Sequence, residues 1–262
     1  MKTVILCGGQ GTRIRDVAED IPKPMIPIGT RPILWHIMKN YAAFGFNEFV
    51  LCLGYRGHVI KNFFINYDML TNDFTLTLGQ PKSLVEIQNH NESEDWTVTL
   101  AETGLHAMTG DRVRAVRKYV EDDDIFMLTY GDGLSDIDIE RLVAFHKAHG
   151  KIATVTGVRP PGRFGELESD DTGQVLEFNE KPQATGGRIS GGFFVFNKGI
   201  FDYLPDGDGL VLEDVPLRKL VADQQLMVYD HDGFWQCMDT YRDFKYLTGL
   251  WDSDQAPWKN WK

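Results

Sequence analysis

A short apolar run, Thr3-Val-Ile-Leu6, passes directly into Cys7-Gly-Gly-Gln-Gly-Thr-Arg13. The run reads as a buried strand, and the glycines Gly8, Gly9 and Gly11 let the backbone turn sharply after it. A turn of this kind can aim successive N–H groups at an anion. Arg13 adds a positive charge, and Lys23 in Pro22-Lys-Pro-Met25 adds another. The pattern predicts a polyphosphate cradle at the end of the first strand, built from Leu6, Gly8, Gly9, Gly11, Thr12, Arg13 and Lys23. Two other phosphate loops fail on residue identity. No Lys follows Gly11, as a Walker loop requires, and Ile14 stands where the dinucleotide fingerprint needs its third glycine.

The remaining composition narrows the partner. The chain has 262 residues, enough for one large α/β domain with a full core. Its net charge of −11 disfavours a nucleic-acid polymer, whose binders carry a basic surface. A single nucleotide needs only a local basic pocket, which Arg13, Arg15 and Lys23 can supply. No stretch of about 18 apolar residues occurs. The N-terminal apolar stretch is too short for a leader and runs into the glycine loop. A cytoplasmic protein with no membrane partner is therefore expected. Cys7, Cys52 and Cys237 are odd in number and lack C-x-x-C spacing, which fits a reducing compartment and no zinc site.

Strand-like and helix-like patterns alternate through residues 1–156. Ile33, Leu34, Ile37, Met38 and Tyr41 recur at helical spacing behind Thr30, a possible cap, and Pro32. Phe49–Leu53, Phe74–Leu78, Trp96–Leu100, Ile125–Thr129 and Ile152–Thr156 read as strands. Helices are expected over 58–67, 109–119 and 138–149, the last closed by Gly150. This order predicts a parallel sheet with helices on both faces. After Gly165 strands near Val175–Phe178 and Phe193–Phe196 come with fewer helices. One domain over 1–262 is expected, its half 1–156 mainly for the nucleotide and its half 157–262 for the sugar phosphate and the tail. The aromatic tail, with Trp251, Trp258 and Trp261, can fold back on its own chain or pack on a second subunit.

Asp132, in Tyr130-Gly-Asp-Gly133, follows an apolar strand directly. Open α/β sheets bind ligands at the carboxyl ends of strands, and Mg²⁺ takes one or two carboxylates plus phosphate oxygens. Asp132 is thus a candidate metal ligand, with a plain Gly-Asp-Gly turn as the alternative. Asp239 reads by spacing as the N-cap of a helix over 241–250, although Thr240 can cap instead. Asp136 and Asp138 read as helix-capping residues, and His146 and His149 as solvent or core residues. Asp206-Gly-Asp-Gly209 lacks the third ligand of a calcium loop. Thr103, Gly104 and Arg112 lie between a strand and a helix, where base contacts or an ordinary loop fit equally. Glu180-Lys-Pro182, taken alone, is a surface lysine before a turn.

Gly8-Gly-Gln-Gly-Thr-Arg13, Pro22-Lys-Pro-Met25, Tyr130-Gly-Asp-Gly133, Phe178-Asn-Glu-Lys-Pro182, Ser190-Gly-Gly-Phe-Phe194 and Trp235-Gln-Cys-Met-Asp-Thr240 occur in one order across nearly the whole chain. Together they resemble the sugar-1-phosphate nucleotidyltransferases, the sugar-nucleotide pyrophosphorylases. The resemblance implies a Rossmann-like, mixed but mostly parallel sheet flanked by helices, with a smaller β-rich sugar-binding part. It implies attack of a sugar 1-phosphate on a nucleoside triphosphate, with catalytic roles for Arg13, Lys23, Asp132 and Lys181. Mg²⁺ would be held by Asp132 and Asp239, and the nucleotide would also meet Thr103, Gly104, Arg112 and Gly131. Gly165, Glu180, Lys181, Gly191 and Gly192 would hold the sugar phosphate. Arg31–Met38, Pro160–Gly165 and Ala256–Trp261 extend the resemblance to members that use CTP and glucose 1-phosphate and assemble as homo-oligomers. The implied product, CDP-glucose, would feed dideoxy-sugar synthesis for surface polysaccharide. The sequence departs from the pattern at Ser190, where the family often has Asn, and at Gly133, where relatives carry a side-chain amide.

Overall fold

A computed structural model describes residues 1–11, 14, 21–79, 84–88, 94–160, 166–169, 174–179 and 187–261. In chain order these form β1 (Thr3–Leu6), β2 (Pro27–Ile28), β3 (Arg31–Pro32), α1 (Ile33–Ala42), β4 (Glu48–Leu53), α2 (Gly57–Ile65) and α3 (Tyr67–Thr71). The hairpin β5 (Phe74–Thr77) and β6 (Leu84–Ile87) precedes β7 (Thr97–Glu102), α4 (Thr109–Ala115), α5 (Arg117–Val120), β8 (Ile125–Tyr130) and β9 (Gly133–Ser135). Then follow α6 (Ile139–His149), β10 (Ala153–Val158), β11 (Glu166–Ser169), β12 (Val175–Asn179) and β13 (Ile189–Asn197). The chain closes with α7 (Val215–Ala222), β14 (Leu226–His231), β15 (Trp235–Cys237) and α8 (Tyr241–Asp252).

Among the described residues, seven strands make the central sheet, in the order β14-β10-β13-β8-β1-β4-β7. All its pairings are parallel except those of β13, which runs antiparallel to both β8 and β10. Strands covered on both faces read as unbroken apolar runs, and β1 and β4 do so. Ile5, Leu51, Met127 and Val195 face one layer, against Ile33 and Ile37 of α1. Val4, Val50, Leu128 and Phe194 face the other, against Val113 and Val116 and against Leu220 of α7. Cys7 and Cys52 are fully buried in these layers.

Local chemistry explains the helix ends. Asp138 accepts the N–H of Arg141 at the start of α6, and Gly150 closes that helix with φ 66°. Thr30 does not cap α1. The chain first pairs Arg31 and Pro32 in β3, and Pro32 becomes the extended residue before the helix. The helix expected over 109–119 breaks at Val116 into α4 and α5. The tail folds back onto α1. The fully buried Trp258 donates its indole N–H to Nδ1 of His36 at 3.4 Å, and Nε2 of His36 donates to the Ile28 carbonyl at 2.9 Å. Burial pushes His36 down to about 4, so the ring is neutral at pH 7.

Candidate active site

β1 and β8 are parallel neighbours in register, Leu6 opposite Tyr130, so their carboxyl ends lie side by side. The Gly131 N–H donates to the Leu6 carbonyl at 3.1 Å, and the two following turns leave the sheet together. A Cβ on Gly131 would sit 3.0 Å from both the Leu6 carbonyl oxygen and Cγ of Pro24, so only glycine fits there without displacement. One residue after Asp132, β9 pairs antiparallel with β15, Gly133 opposite Cys237, and the Met238 N–H donates to the Asp132 carbonyl at 2.8 Å. This small ladder carries Asp239 to Asp132 from far along the chain. Thr240, not Asp239, caps α8, its Oγ1 accepting the Asp243 N–H at 3.2 Å. The Asp239 carboxylate is therefore released from helix capping.

Lys23 joins the two carboxylates. Its Nζ donates to Oδ2 of Asp132 and to Oδ1 of Asp239, each at 2.5 Å. The two oxygens are thus no farther apart than twice that distance. Burial works against the ammonium, but Asp132 and Asp239 outweigh it and hold Lys23 above the usual lysine range. The glycine loop lies over the lysine stem: Gly11 has φ 58°, and a Cβ there would be 3.2 Å from Lys23 Cβ. Two carboxylate oxygens converging on one cation are a hard donor pair that fits a divalent cation of the magnesium type. Among the described residues no cluster of three or more His, Cys, Asp and Glu stands together. Phosphate oxygens and water would have to complete a shell on Asp132 and Asp239.

Arg112 organises one wall of the site from behind. Its buried guanidinium donates to four acceptors: the carbonyls of Gly8, Leu53 and Gly104 at 3.0, 3.1 and 3.0 Å, and Thr103 Oγ1 at 2.7 Å. It ties the glycine loop to the ends of β4 and β7. Thr103 and Gly104 are thereby fixed by Arg112. Asp111, its neighbour, accepts the N–H groups of Met108, Gly209 and Leu210 at 3.1, 2.9 and 3.2 Å. These contacts hold its carboxyl below the usual range although burial opposes them.

A cleft of about 630 Å³ opens over these groups. Of the residues singled out by sequence, Leu6, Gly8, Gly9, Gly11, Lys23, Arg112, Gly131, Asp132, Gly191 and Asp239 line it. Gly192 lies behind, at φ 77°, where a Cβ would sit 2.2 Å from the Tyr130 ring. Thr12, Arg13, Gly165, Glu180 and Lys181 lie outside the described residues. The sequence motifs assign no site role to Trp235, Thr109, Tyr130 or Glu213. Trp235 donates its indole N–H to the Gly191 carbonyl at 2.8 Å and forms the wall on the β13 side. Its signal was its place at the head of the segment that ends in Asp239. Tyr130 donates its hydroxyl to Glu213, and burial together with that carboxylate keeps the phenol protonated. Nothing local in the sequence marks Glu213.

A general family model, described as "Nucleotidyl transferase", matches residues 2–244. The chain belongs to the nucleotidyl transferase family. This nucleotidyl transferase is 48% identical over 262 residues to "Glucose-1-phosphate cytidylyltransferase" of Salmonella typhi, covering all of both chains. It is 44% identical over 261 residues to "Probable glucose-1-phosphate cytidylyltransferase" of Bacillus subtilis, again covering both chains in full. Among solved structures, HddC from Yersinia pseudotuberculosis superposes with a TM-score of 0.65 at 21% identity, over 95% of this chain and 99% of that one. That likeness speaks to fold: the mixed, mostly parallel sheet flanked by helices is the one the sequence motifs implied. No helix among the described residues is long and apolar enough to cross a membrane.

Proposed function

We propose that this enzyme transfers a cytidylyl group from CTP to α-D-glucose 1-phosphate, giving CDP-glucose and pyrophosphate. The observation that carries the reaction type is the meeting of Lys23 with Asp132 and Asp239 beside the glycine loop. The choice of CTP and glucose 1-phosphate is supported by identity of 48% over both whole chains to the Salmonella typhi enzyme of that name.

The chemistry needs little proton transfer. A phosphate monoester has its second pKa at about 6, so the attacking phosphate is largely dianionic at pH 7. The obstacle is the approach of two anions, and the protein answers it by positioning and charge neutralisation. The sugar phosphate oxygen attacks the α-phosphorus in line, and pyrophosphate leaves with the electron pair. Gly8, Gly9 and Gly11 present backbone beside the triphosphate, and Lys23 neutralises its charge. Arg13 and Lys181 take the roles that the sequence motifs assign them, at the pyrophosphate and the sugar phosphate. Asp132 and Asp239 would hold Mg²⁺, whose charge, when bound, stabilises the α-phosphate and the leaving group. On the β13 side, Gly191 and Trp235 form the sugar-facing wall, with Gly192 behind it. Within one domain, residues 1–156 serve mainly the nucleotide, and residues 157–262 mainly the sugar phosphate. A cytoplasmic homo-oligomer belongs to the same reading.

The test is a panel of CTP, UTP, dTTP, ATP and GTP with glucose 1-phosphate and Mg²⁺, scored by pyrophosphate release. Fastest release with CTP, strictly dependent on the sugar phosphate, is the expected result. Release with UTP or dTTP but not CTP would change the base. No release with any triphosphate would overturn nucleotidyl transfer and favour a glycosyltransferase that consumes a finished sugar nucleotide.

A further inference from the structure

The loop that precedes α7 is locked onto the start of α4. The Leu210 carbonyl accepts the N–H groups of Gly110 and Asp111 at 2.8 and 3.2 Å, and Asp111 accepts two N–H groups from the loop in return. The Leu212 N–H donates to Thr109 Oγ1 at 2.9 Å. This interlock delivers the Glu213 carboxylate to two hydroxyls of the cleft wall. Thr109 donates its hydroxyl to Oε2 at 2.6 Å, and Tyr130 donates its hydroxyl to Oε1. Both donors line the cleft.

A hydroxyl has one proton and two lone pairs. An ionised carboxylate can only accept, so Thr109 and Tyr130 must both spend their protons on Glu213. Thr109 Oγ1 spends one lone pair on Leu212 and keeps one. Toward the cleft the two oxygens can then only accept hydrogen bonds. Thr109 stands at the start of α4, the helix that follows β7, while Tyr130 ends β8, between β1 and β13, with its ring against Gly192. An elongated nucleotide with its phosphates at Gly8–Gly11 and Lys23 would reach its base toward the start of α4. Cytosine carries an exocyclic amine, a donor, where uracil and thymine carry a carbonyl oxygen, an acceptor.

We propose that Glu213 is a specificity-determining residue: by fixing Thr109 and Tyr130 as acceptors, it makes the cleft wall choose a pyrimidine that bears an exocyclic amine. The proposal rests on the nucleotidyl-transfer reading above. Glu213→Gln tests it, because the amide must donate where the carboxylate accepted. One hydroxyl then turns its own proton toward the cleft and can serve a carbonyl oxygen. Thr109→Val removes one acceptor outright.

The readout is kcat/KM for CTP divided by kcat/KM for UTP, with glucose 1-phosphate saturating. The melting temperature of each variant is measured alongside. Both variants are expected to lower this ratio at least tenfold, Glu213→Gln partly by raising UTP turnover and with a melting temperature near that of the parent, while Thr109→Val, which also frees the Leu212 N–H, melts lower. If CTP and UTP efficiencies fall together and the ratio holds, Glu213 only supports the fold and the proposal is overturned. An unchanged ratio with unchanged rates overturns it equally. Absence of pyrophosphate release by the parent enzyme would instead refute the nucleotidyl-transfer reading itself.

Discussion

Asp132→Asn lowers turnover on the order of 100-fold, about 2.7 kcal/mol in the activation barrier, in a Mg²⁺ assay of pyrophosphate release. The substitution keeps the shape of the side chain and removes its charge. Its backbone ties survive, because the β9–β15 register and the Met238 bond use main-chain atoms. The fold is therefore retained and the loss falls on the reaction. Two effects combine. The pair that would hold the metal drops to one carboxylate, and Lys23 loses one of the two partners that hold its ammonium in place. Asp239→Asn is expected to act in the same direction. Near-parental turnover in Asp132→Asn would remove this carboxylate from the reaction.

Gly8→Ala is expected to damage both stability and nucleotide binding. A Cβ at residue 8 would lie 2.1 Å from one Arg112 nitrogen and 2.2 Å from the guanidinium carbon. A long side chain can usually swing away from such a contact. Arg112 cannot do so cheaply, since it is 5% exposed and its guanidinium already serves four acceptors. Hydrogen bonds from a charged donor are worth roughly 1.5–3 kcal/mol each, so losing two of them destabilises by about 3 kcal/mol or more. For a chain of this size that is a fall of about 6–12 °C in melting temperature. The apparent Kd for the triphosphate should rise at least tenfold, because the same guanidinium shapes the loop. In an Arg112→Ala background the alanine should cost much less, which a double-mutant cycle would register as strong coupling. Additive losses would mean that the two residues do not act as one unit.

Residue identity marked the sites that lie in short, chemically unusual runs. The glycine loop, Lys23 and Asp132 stood out because glycines and charges directly after an apolar strand have few structural uses. Asp239 was ambiguous because an Asp before a helix is an ordinary cap. Only the Thr240 bond and the β9–β15 ladder separate the two roles, and both depend on three-dimensional pairing. Arg112 was visible as a charge near a loop, but its four-way clamp on the loops was not, since its acceptors come from four separate residues of the chain. Glu213 was invisible for the same reason: its partners sit at the start of α4 and the end of β8. Among strands, the buried β1, β4 and β8 were legible from continuous apolar runs. β14 was missed because its side chains are mixed and only half covered, and the pairs β2–β3 and β9–β15 because two or three residues carry no periodicity.

A crystal of the protein soaked with CTP and Mn²⁺, with the metal located by its anomalous signal, decides where the cation and the triphosphate sit. Manganese is expected between Asp132 and Asp239, the triphosphate against Gly8–Gly11, and the Lys23 ammonium turned from the carboxylates to a phosphate oxygen. Manganese bound elsewhere, with the triphosphate away from the glycine loop and Lys23 still held by both aspartates, would contradict this arrangement.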